Sequence, residues 1–517
     1  MSAIVTDQFR ILNASNFVDS IESNSYYITL GLANPVAAGY GRTSDWNTNP
    51  PSPVDNLSYS SHIGDTVLFG KKITSSNARR IVRRIDWNSG TKYEVYRNDY
   101  SVTNPAPITN AARLYDANYY VMNEDFRVYL CIENGSSGTN PKGNVSQDQP
   151  TFTDLEPSRA GDSGDGYIWK YLFTISPSDI IKFDSTDYIT VPNNWSTSTD
   201  SQIRAIRESG DSSINENQIK TVYIEDAGSN YANGLGQEMN IIGDGTGGKV
   251  RVDVEGGKIT NTVVTSGGKD YSYALVDLGS INSNTSGTSA KLVPIIPPSK
   301  GHGFDVYKEL GTDKVLVYAR FDDSTKDFPV DTSFAQVSIV KDPTAIGTAN
   351  TFTDSNFTGL SAFKLVSITG TPKVGEKIEQ SVQNGTAKAF GYVASFDTET
   401  KVLKYFTDRS LFYNQTTKDQ QDYTGISTNG RPYAFESSSN LISGQTSSFT
   451  GSVDTGFSGI ATNPTGIKQI NLGSSFTAGM SVPEINKGSG EVIYLDNRAS
   501  IARNARQKED IKVILEF

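Results

Sequence analysis

The sequence predicts a mainly β protein with an α+β core: a discontinuous main domain that joins both chain ends and carries inserted small β-sandwich or barrel-like units. Three observations lead there. Apolar residues come in short runs between clusters of Gly, Ser, Thr and Asn, the pattern of many short strands joined by turns. Between 221 and 296 a block of sequence recurs at a spacing of about forty residues, which marks a duplicated supersecondary unit. The last seven residues, Ile511-Lys-Val-Ile-Leu-Glu-Phe517, place Ile511, Val513, Leu515 and Phe517 on one strand face, so the chain is expected to end inside a sheet.

At 517 residues and 56.1 kDa the chain exceeds what one hydrophobic core organises, and roughly three to five packed units are expected. Only 36% of residues are hydrophobic, yet 26 Tyr and 23 Phe supply large groups to bury, which argues against disorder. We divide the chain into a main domain over 1–218, an inserted duplicated β unit over 219–298, a return to the main domain over 299–345, an inserted β-rich and Gly/Ser/Thr-rich region over 346–484, and the main domain's C-terminal part over 485–517.

The first helix starts at Thr6 or Asp7, either of which can cap it, and places Phe9, Leu12, Phe17 and Ile21 near one face. Ser25 to Gly31 reads as a strand. A proline-bearing loop follows over 46–53, and a short helix is expected around His62 to Lys72. Strand character returns over 119–132 and, after the turn Gly161-Asp-Ser-Gly-Asp-Gly166, over 167–175, where Tyr167, Trp169, Tyr171 and Phe173 share a strand face.

In the repeat, Tyr223-Ile224 through Gly228 and Tyr231 recurs as Val263-Val264 through Gly268 and Tyr271, and Gly245-Thr246 through Lys249-Val250 recurs as Gly287-Thr288 through Lys291-Leu292. Val250, Val252 and Val254 alternate with charged residues before Gly256-Gly257, a half-buried strand entering a hairpin. Two copies are too few for a solenoid, so a small two-lobed domain is expected. A further hairpin runs from Val393 through Asp397-Thr-Glu-Thr400 to Tyr405. The stretch 425–480, poor in large aliphatics, reads as long loops or exposed edge strands.

The net charge of -11 would repel a phosphate backbone or an anionic lipid surface, so nucleic acid is not an expected partner. No run is apolar for long enough to cross a bilayer, and an acid follows the amino terminus within a few residues, so neither membrane insertion nor export is expected. The single Cys131 reads as a buried strand thiol, compatible with a reducing cytosol. One Cys and two distant His, His62 and His302, do not make a zinc site, and they offer little to a Ser-His-Asp or Cys-His scheme. His302, in Lys300-Gly301-His302-Gly303, reads as part of a flexible turn with a loop or interface role. The turn 161–166 lacks the spacing of an EF-hand, and Gly243-Asp-Gly-Thr-Gly-Gly248 lacks the Lys of a phosphate loop. We expect no cofactor, no metal and no enzymatic activity.

Three blocks carry a resemblance: Ala3 to Arg10 with Tyr27 to Gly31 and Arg83-Arg-Ile-Asp-Trp87; Gly164-Asp-Gly-Tyr-Ile-Trp-Lys-Tyr-Leu-Phe173 with Tyr188 to Pro192; and Ser489-Gly-Glu-Val-Ile-Tyr-Leu-Asp-Asn-Arg498 onward. In these the chain resembles the baseplate wedge proteins of T-even-like contractile-tailed phages, the gene 8 product family, over about 1–200, 314–343 and 485–517, with insertions between. The resemblance implies a non-catalytic virion protein of the tail baseplate, assembled in the host cytoplasm. It further implies a homodimer that contacts other wedge proteins and transmits the baseplate's change at infection. The insertions would be free to meet fibre or peripheral baseplate proteins.

Structural or interface candidates in the matched blocks are Gly164, Gly166, Tyr167 and Trp169, and Glu491, Tyr494, Asn497 and Arg498. In Asp496-Asn-Arg498 the acid and amide suit a turn, while Arg498 offers a forked donor. Two other readings stand beside this one: a host-surface adhesin, since Tyr-rich β domains with polar loops suit carbohydrate, and a polysaccharide-degrading tail enzyme.

Overall fold

The computed structural model describes residues 6–32, 50, 52–53, 63–64, 66–211, 216–281, 287–322, 333–407, 433–502 and 507–517. His62, residues 3–5 and 425–432, and most of the loop 46–53 lie outside them. The described chain is mainly β, with several sheets and a closed six-stranded barrel. It forms two units, one of Met1–Val18, Arg79–Leu316 and Ile514–Phe517, the other of Asp19–Ala78 and Val317–Val513.

Helix Asp7–Ser23 begins at Thr6, whose Oγ1 accepts from the Phe9 amide at 3.3 Å. Its buried face is Ile11, Ala14, Phe17, Val18 and Ile21, whereas Phe9 and Leu12 are more than half exposed. The expected stripe was displaced because Leu12 sits about a third of a turn, and Phe9 nearly half a turn, away from the row through Ile11, Ala14 and Val18.

The first unit is built on an antiparallel four-stranded sheet ordered Tyr120–Met122, Arg127–Asn134, Tyr167–Thr174, Ser158–Arg159. Both faces are covered, so from Tyr167 to Phe173 only Ile168 is not fully buried. Helices Pro177–Phe183, Ser201–Ser209 and Val306–Leu310 flank this core. Each starts at a side-chain cap: Ser176, Asp200 and Asp305 accept from amides two or three residues on. Both chain ends meet here. The Phe17 and Phe517 rings lie 5.5 Å apart, and Glu516 is 3.7 Å from Arg10 and 3.4 Å from Lys314. The terminal strand alternates as expected, but only Val513 is fully buried, with Ile511, Leu515 and Phe517 partly so.

Within the same unit the repeat folds around one core and not as two lobes. Strand Val222–Asp226 of the first copy pairs with Lys291–Pro294 of the second, and Lys258–Lys269 of the second pairs with Thr246–Glu255 of the first. Gly234–Gly243 then pairs with Ala274–Val276. Each copy's first strand is thus completed by the other copy's third. The tyrosines follow the same exchange: Tyr231 Oη accepts from the Ala290 amide at 2.8 Å, and Tyr271 Oη from the Gly248 amide at 3.1 Å. The turns match residue for residue, with left-handed backbone at Gly228 and Gly268 and at Asn230 and Asp270. A single apolar cluster from Ile219 to Ile296 runs through both copies. The Gly256-Gly257 hairpin and the buried Val250, Val252 and Val254 are as the alternation predicts.

The second unit holds a five-stranded antiparallel sheet, ordered Asn356–Thr358, Val67–Ile73, Tyr26–Gly31, Ser333–Lys341, Glu491–Ala502. The helix expected around 62–72 is replaced over Val67–Ile73 by this strand. Its first four residues are all buried, and such an unbroken apolar run has no period that separates helix from strand.

The barrel consists of Ser361–Thr369, Lys377–Val382, Ala387–Asp397, Val402–Phe406, Ile442–Gly444 and Thr450–Val453, closed by pairing of the first with the fourth. The Gly/Ser/Thr-rich segment therefore contributes two internal staves, Ile442–Gly444 and Thr450–Val453, where loops or edge strands were expected, while farther along it Gly459–Thr462 and Ile470–Phe476 form a two-stranded sheet of edge strands, as expected. Small residues suit a stave whose interior is filled by neighbours: the Phe363 ring stacks on Tyr405 at 4.3 Å, with Phe435 edge-on to both.

Candidate functional site: an aromatic strand and an edge strand

The first group of candidates sits where the turn 161–166 delivers the chain into the central strand. Gly164 and Gly166 have φ of 70° and 86°, a region that glycine enters freely. A Cβ on Gly166 would lie 3.2 Å from Asn144 Nδ2 and from Gly135 Cα, whereas one on Gly164 would meet nothing within 4 Å. Asp165 holds the turn by accepting from the Gln147 and Tyr167 amides, each at 2.9 Å. Tyr167 and Trp169 stack at 5.3 Å, and Tyr93 packs edge-on against both. The Tyr167 hydroxyl donates to Asn144 O and accepts from the Tyr93 amide. These are core groups with no solvent-facing surface. Burial pushes the Tyr167 phenol up, and the nearby Cys131 thiol, fully buried, is raised in the same way.

A bulge between Tyr171 and Phe173 breaks the expected four-aromatic face. Tyr171 packs with Tyr129, while Phe173 packs with Trp195, whose indole donates to Gly303 O and Phe304 O.

Sequence reading missed the polar groups in this core. Lys170 is fully buried, donates to Leu155 O at 2.7 Å, and has its ammonium pushed down to about 8 by burial and by Lys220, against the pull of Glu156 and Glu309. His302, expected in a flexible turn, is 2% exposed; its Nδ1 is 2.5 Å from an oxygen of the fully buried Glu309, and its ring lies edge-on to Tyr96 at 4.9 Å. Glu94, also buried, accepts from the Ile108, Thr109 and Asn118 amides and so clasps the loop between them. A Lys amid Tyr-Ile-Trp-Lys-Tyr-Leu-Phe was a visible signal for the first. Nothing local marks the other two.

The second group lies in the other unit, on the edge strand Glu491–Ala502. Asp496-Asn-Arg498 does not form a turn. Asn497 stands opposite Gln336 in the ladder and accepts from its Nε2 at 2.9 Å, with a register shift beyond it. Arg498 is half exposed and donates to Asp496 Oδ2 at 2.6 Å along its own strand; Glu491 is exposed and Tyr494 half-buried. A cavity of about 290 Å³ opens beside Glu491, lined by Val67, Val340, Phe357, Ile485 and Val492 among others.

Among the described residues no three His, Cys, Asp or Glu side chains are grouped to hold a metal ion, and no helix is long and apolar enough to cross a membrane. A family model described as Bacteriophage T4, Gp8 matches residues 130–230. The baseplate wedge protein gp8 of Enterobacteria phage T4 is 27% identical over 221 residues, covering 37% of this chain. The chain spans about 60% of the length of that relative. The family match takes in most of the central sheet from Leu130 onward, without the strand Tyr120–Met122, together with the helix Ser201–Ser209 and the first strand of the exchanged unit, thirty residues beyond the limit near 200 read from the motifs. Over residues 130–230 the chain is similar to the phage T4 Gp8 family, and it is longer than the T4 wedge protein.

Proposed function

We propose that this chain is a structural, non-catalytic subunit of the baseplate wedge of a contractile-tailed phage, present in the virion and assembled in the host cytoplasm. It forms a homodimer and links neighbouring wedge proteins through assembly and the conformational change at infection. One observation carries the reading: the segment that matches the family supplies the central strand of the aromatic core, with Tyr167, Trp169, Tyr171 and Phe173, and the Trp195 packed on it, so the likeness lies in scaffold and not in a transplanted loop. For self-association the support is an apolar face on the first helix, where Phe9 and Leu12 are 52% and 54% exposed. Tyr167 and Trp169 serve the fold locally, the exposed Glu491 and Arg498 meet a partner surface, and the regions 219–298 and 346–484 meet fibre or peripheral baseplate proteins.

Imaging particles that carry a tag on this chain tests the placement: density at the baseplate is expected, and density confined to fibre tips would replace this reading with the adhesin. Sedimentation over a wide concentration range should give a dimer that Phe9→Ser/Leu12→Ser weakens. A monomer at every concentration would remove the dimer and leave the wedge assignment standing.

A further inference from the structure

The segment that returns from the exchanged β unit to the core passes through the turn Lys300-Gly-His-Gly-Phe304, and this turn is gripped from four sides. Gly303 donates its amide to Glu309 Oε2 at 2.7 Å and its carbonyl accepts from the Trp195 indole at 3.1 Å. A Cβ there would lie 3.0 Å from Ile206 and 3.3 Å from Lys170 Cε, so the helix and the central strand close on it directly. Next to it His302 is inserted between Glu309 and the Tyr96 ring. The backbone is bent to fit: Lys300, Gly301 and Gly303 have φ of 73°, 130° and 86°. Lys170, His302 and Glu309 are all essentially without solvent contact. Tyr96 and Tyr119 face the same cluster, with Glu156 and Lys220 at its rim and Lys300 paired to Asp211 outside.

We propose that Lys170, His302 and Glu309 form a charge-balanced latch, a conformational device that fixes the attitude of the exchanged β unit by holding the Lys300–Phe304 turn in the core. Buried charges contribute little net stability against an apolar replacement of the same shape; their effect is to admit one arrangement, because any displacement leaves a charge unpaired. The cluster has the composition such a device needs: a buried ammonium anchored on Leu155 O, a buried carboxylate that receives the Gly303 amide, and an imidazole of the turn hydrogen-bonded to that carboxylate. A hydrophobic plug at the same place would tolerate sliding. This one does not.

Trypsin cleavage after Lys300 in the native full-length protein reads the latch. Glu309→Gln and Lys170→Met each leave one charge unbalanced, and each should speed that cut at least about tenfold while cuts elsewhere keep their rates. The double variant Lys170→Met/Glu309→Gln, neutral throughout, should melt no lower than either single variant, yet its turn should remain cleavable faster than the parent's. Cleavage after Lys300 at the parental rate in all three, or acceleration in step with every other site, would overturn the latch in favour of a passive core. Should the variants fail to fold, hydrogen exchange on the unaltered protein decides: the Gly303 amide should exchange at least a hundredfold more slowly than that of Lys300, and equal rates would overturn the proposal.

Discussion

The exchanged pairing of the duplicated unit makes a sharp demand on the two repeat tyrosines. Tyr271→Phe keeps the ring in place but deletes a hydroxyl that accepts from the Gly248 amide at 3.1 Å and donates to Ile241 O at 2.9 Å, both at buried positions. Each buried backbone group left unpaired costs roughly 1–3 kcal/mol, so the substitution should cost about 2–4 kcal/mol. Tyr231→Phe releases the Ala290 amide alone, a loss of about 1–2 kcal/mol. Hydrogen exchange followed by mass spectrometry on the full chain measures this as local opening, where each 1.4 kcal/mol is a factor of about ten. Tyr271→Phe should therefore accelerate exchange roughly thirtyfold or more. Peptides from 222–255 should speed up as much as those from 258–294, since the tyrosine of the second copy is bonded to a strand of the first. Acceleration confined to 258–294 would show two independent lobes and refute the exchange.

Three further outcomes are expected. The Lys170 ammonium titrates near 8 in the folded protein against about 10.4 unfolded, so between those values the unfolded chain binds more protons, and stability from this group rises with pH across that window. The urea midpoint of the parent should accordingly rise relative to that of Lys170→Met as pH goes from 8 to 10; a constant difference would contradict it. Truncation after Asp510 removes one fully buried apolar side chain and three partly buried ones, about 3–6 kcal/mol, enough to abolish cooperative melting in most domains, whereas Glu516→Gln at a 59% exposed ion pair should shift melting hardly at all. Gly166→Ala should lower thermal stability clearly more than Gly164→Ala, since both are left-handed but only Gly166 would press a Cβ on Asn144 and Gly135; equal losses would mean that backbone strain alone governs the turn.

Legibility followed the reach of the interaction. The Val250-Val252-Val254 strand and its Gly-Gly turn could be read because alternation and a left-handed turn are local properties, and the terminal strand could be read for the same reason. The strand at Val67–Ile73 was misread because Val-Leu-Phe is buried on both faces and shows no period. The barrel staves near 442 and 450 were misread because their burial comes from Phe363, Tyr405 and Phe435, side chains that arrive from other strands. At the candidate site, Gly164 to Trp169 were singled out by motif and turn chemistry. Glu309 was not, because nothing in Val306 to Leu310 distinguishes a surface Glu from one that receives His302 and the Gly303 amide.

The duplication shows why a repeat visible in sequence did not reveal its fold. Two copies in tandem can each close on themselves, giving two small lobes, or complete each other, giving one body; the residue pattern along the chain is the same in both cases. What separates them is burial. A lobe of some forty residues cannot cover enough apolar surface to offset its chain entropy, while the pair of copies joined through exchanged strands encloses one cluster from Ile219 to Ile296. Completion by the other copy then forces the third strand of the second copy, Lys291–Pro294, back beside the first strand of the first, Val222–Asp226. The entry and exit of the unit are brought together by this pairing, which is the geometry that lets a body of this size be carried on the core without separating the strands on either side of it.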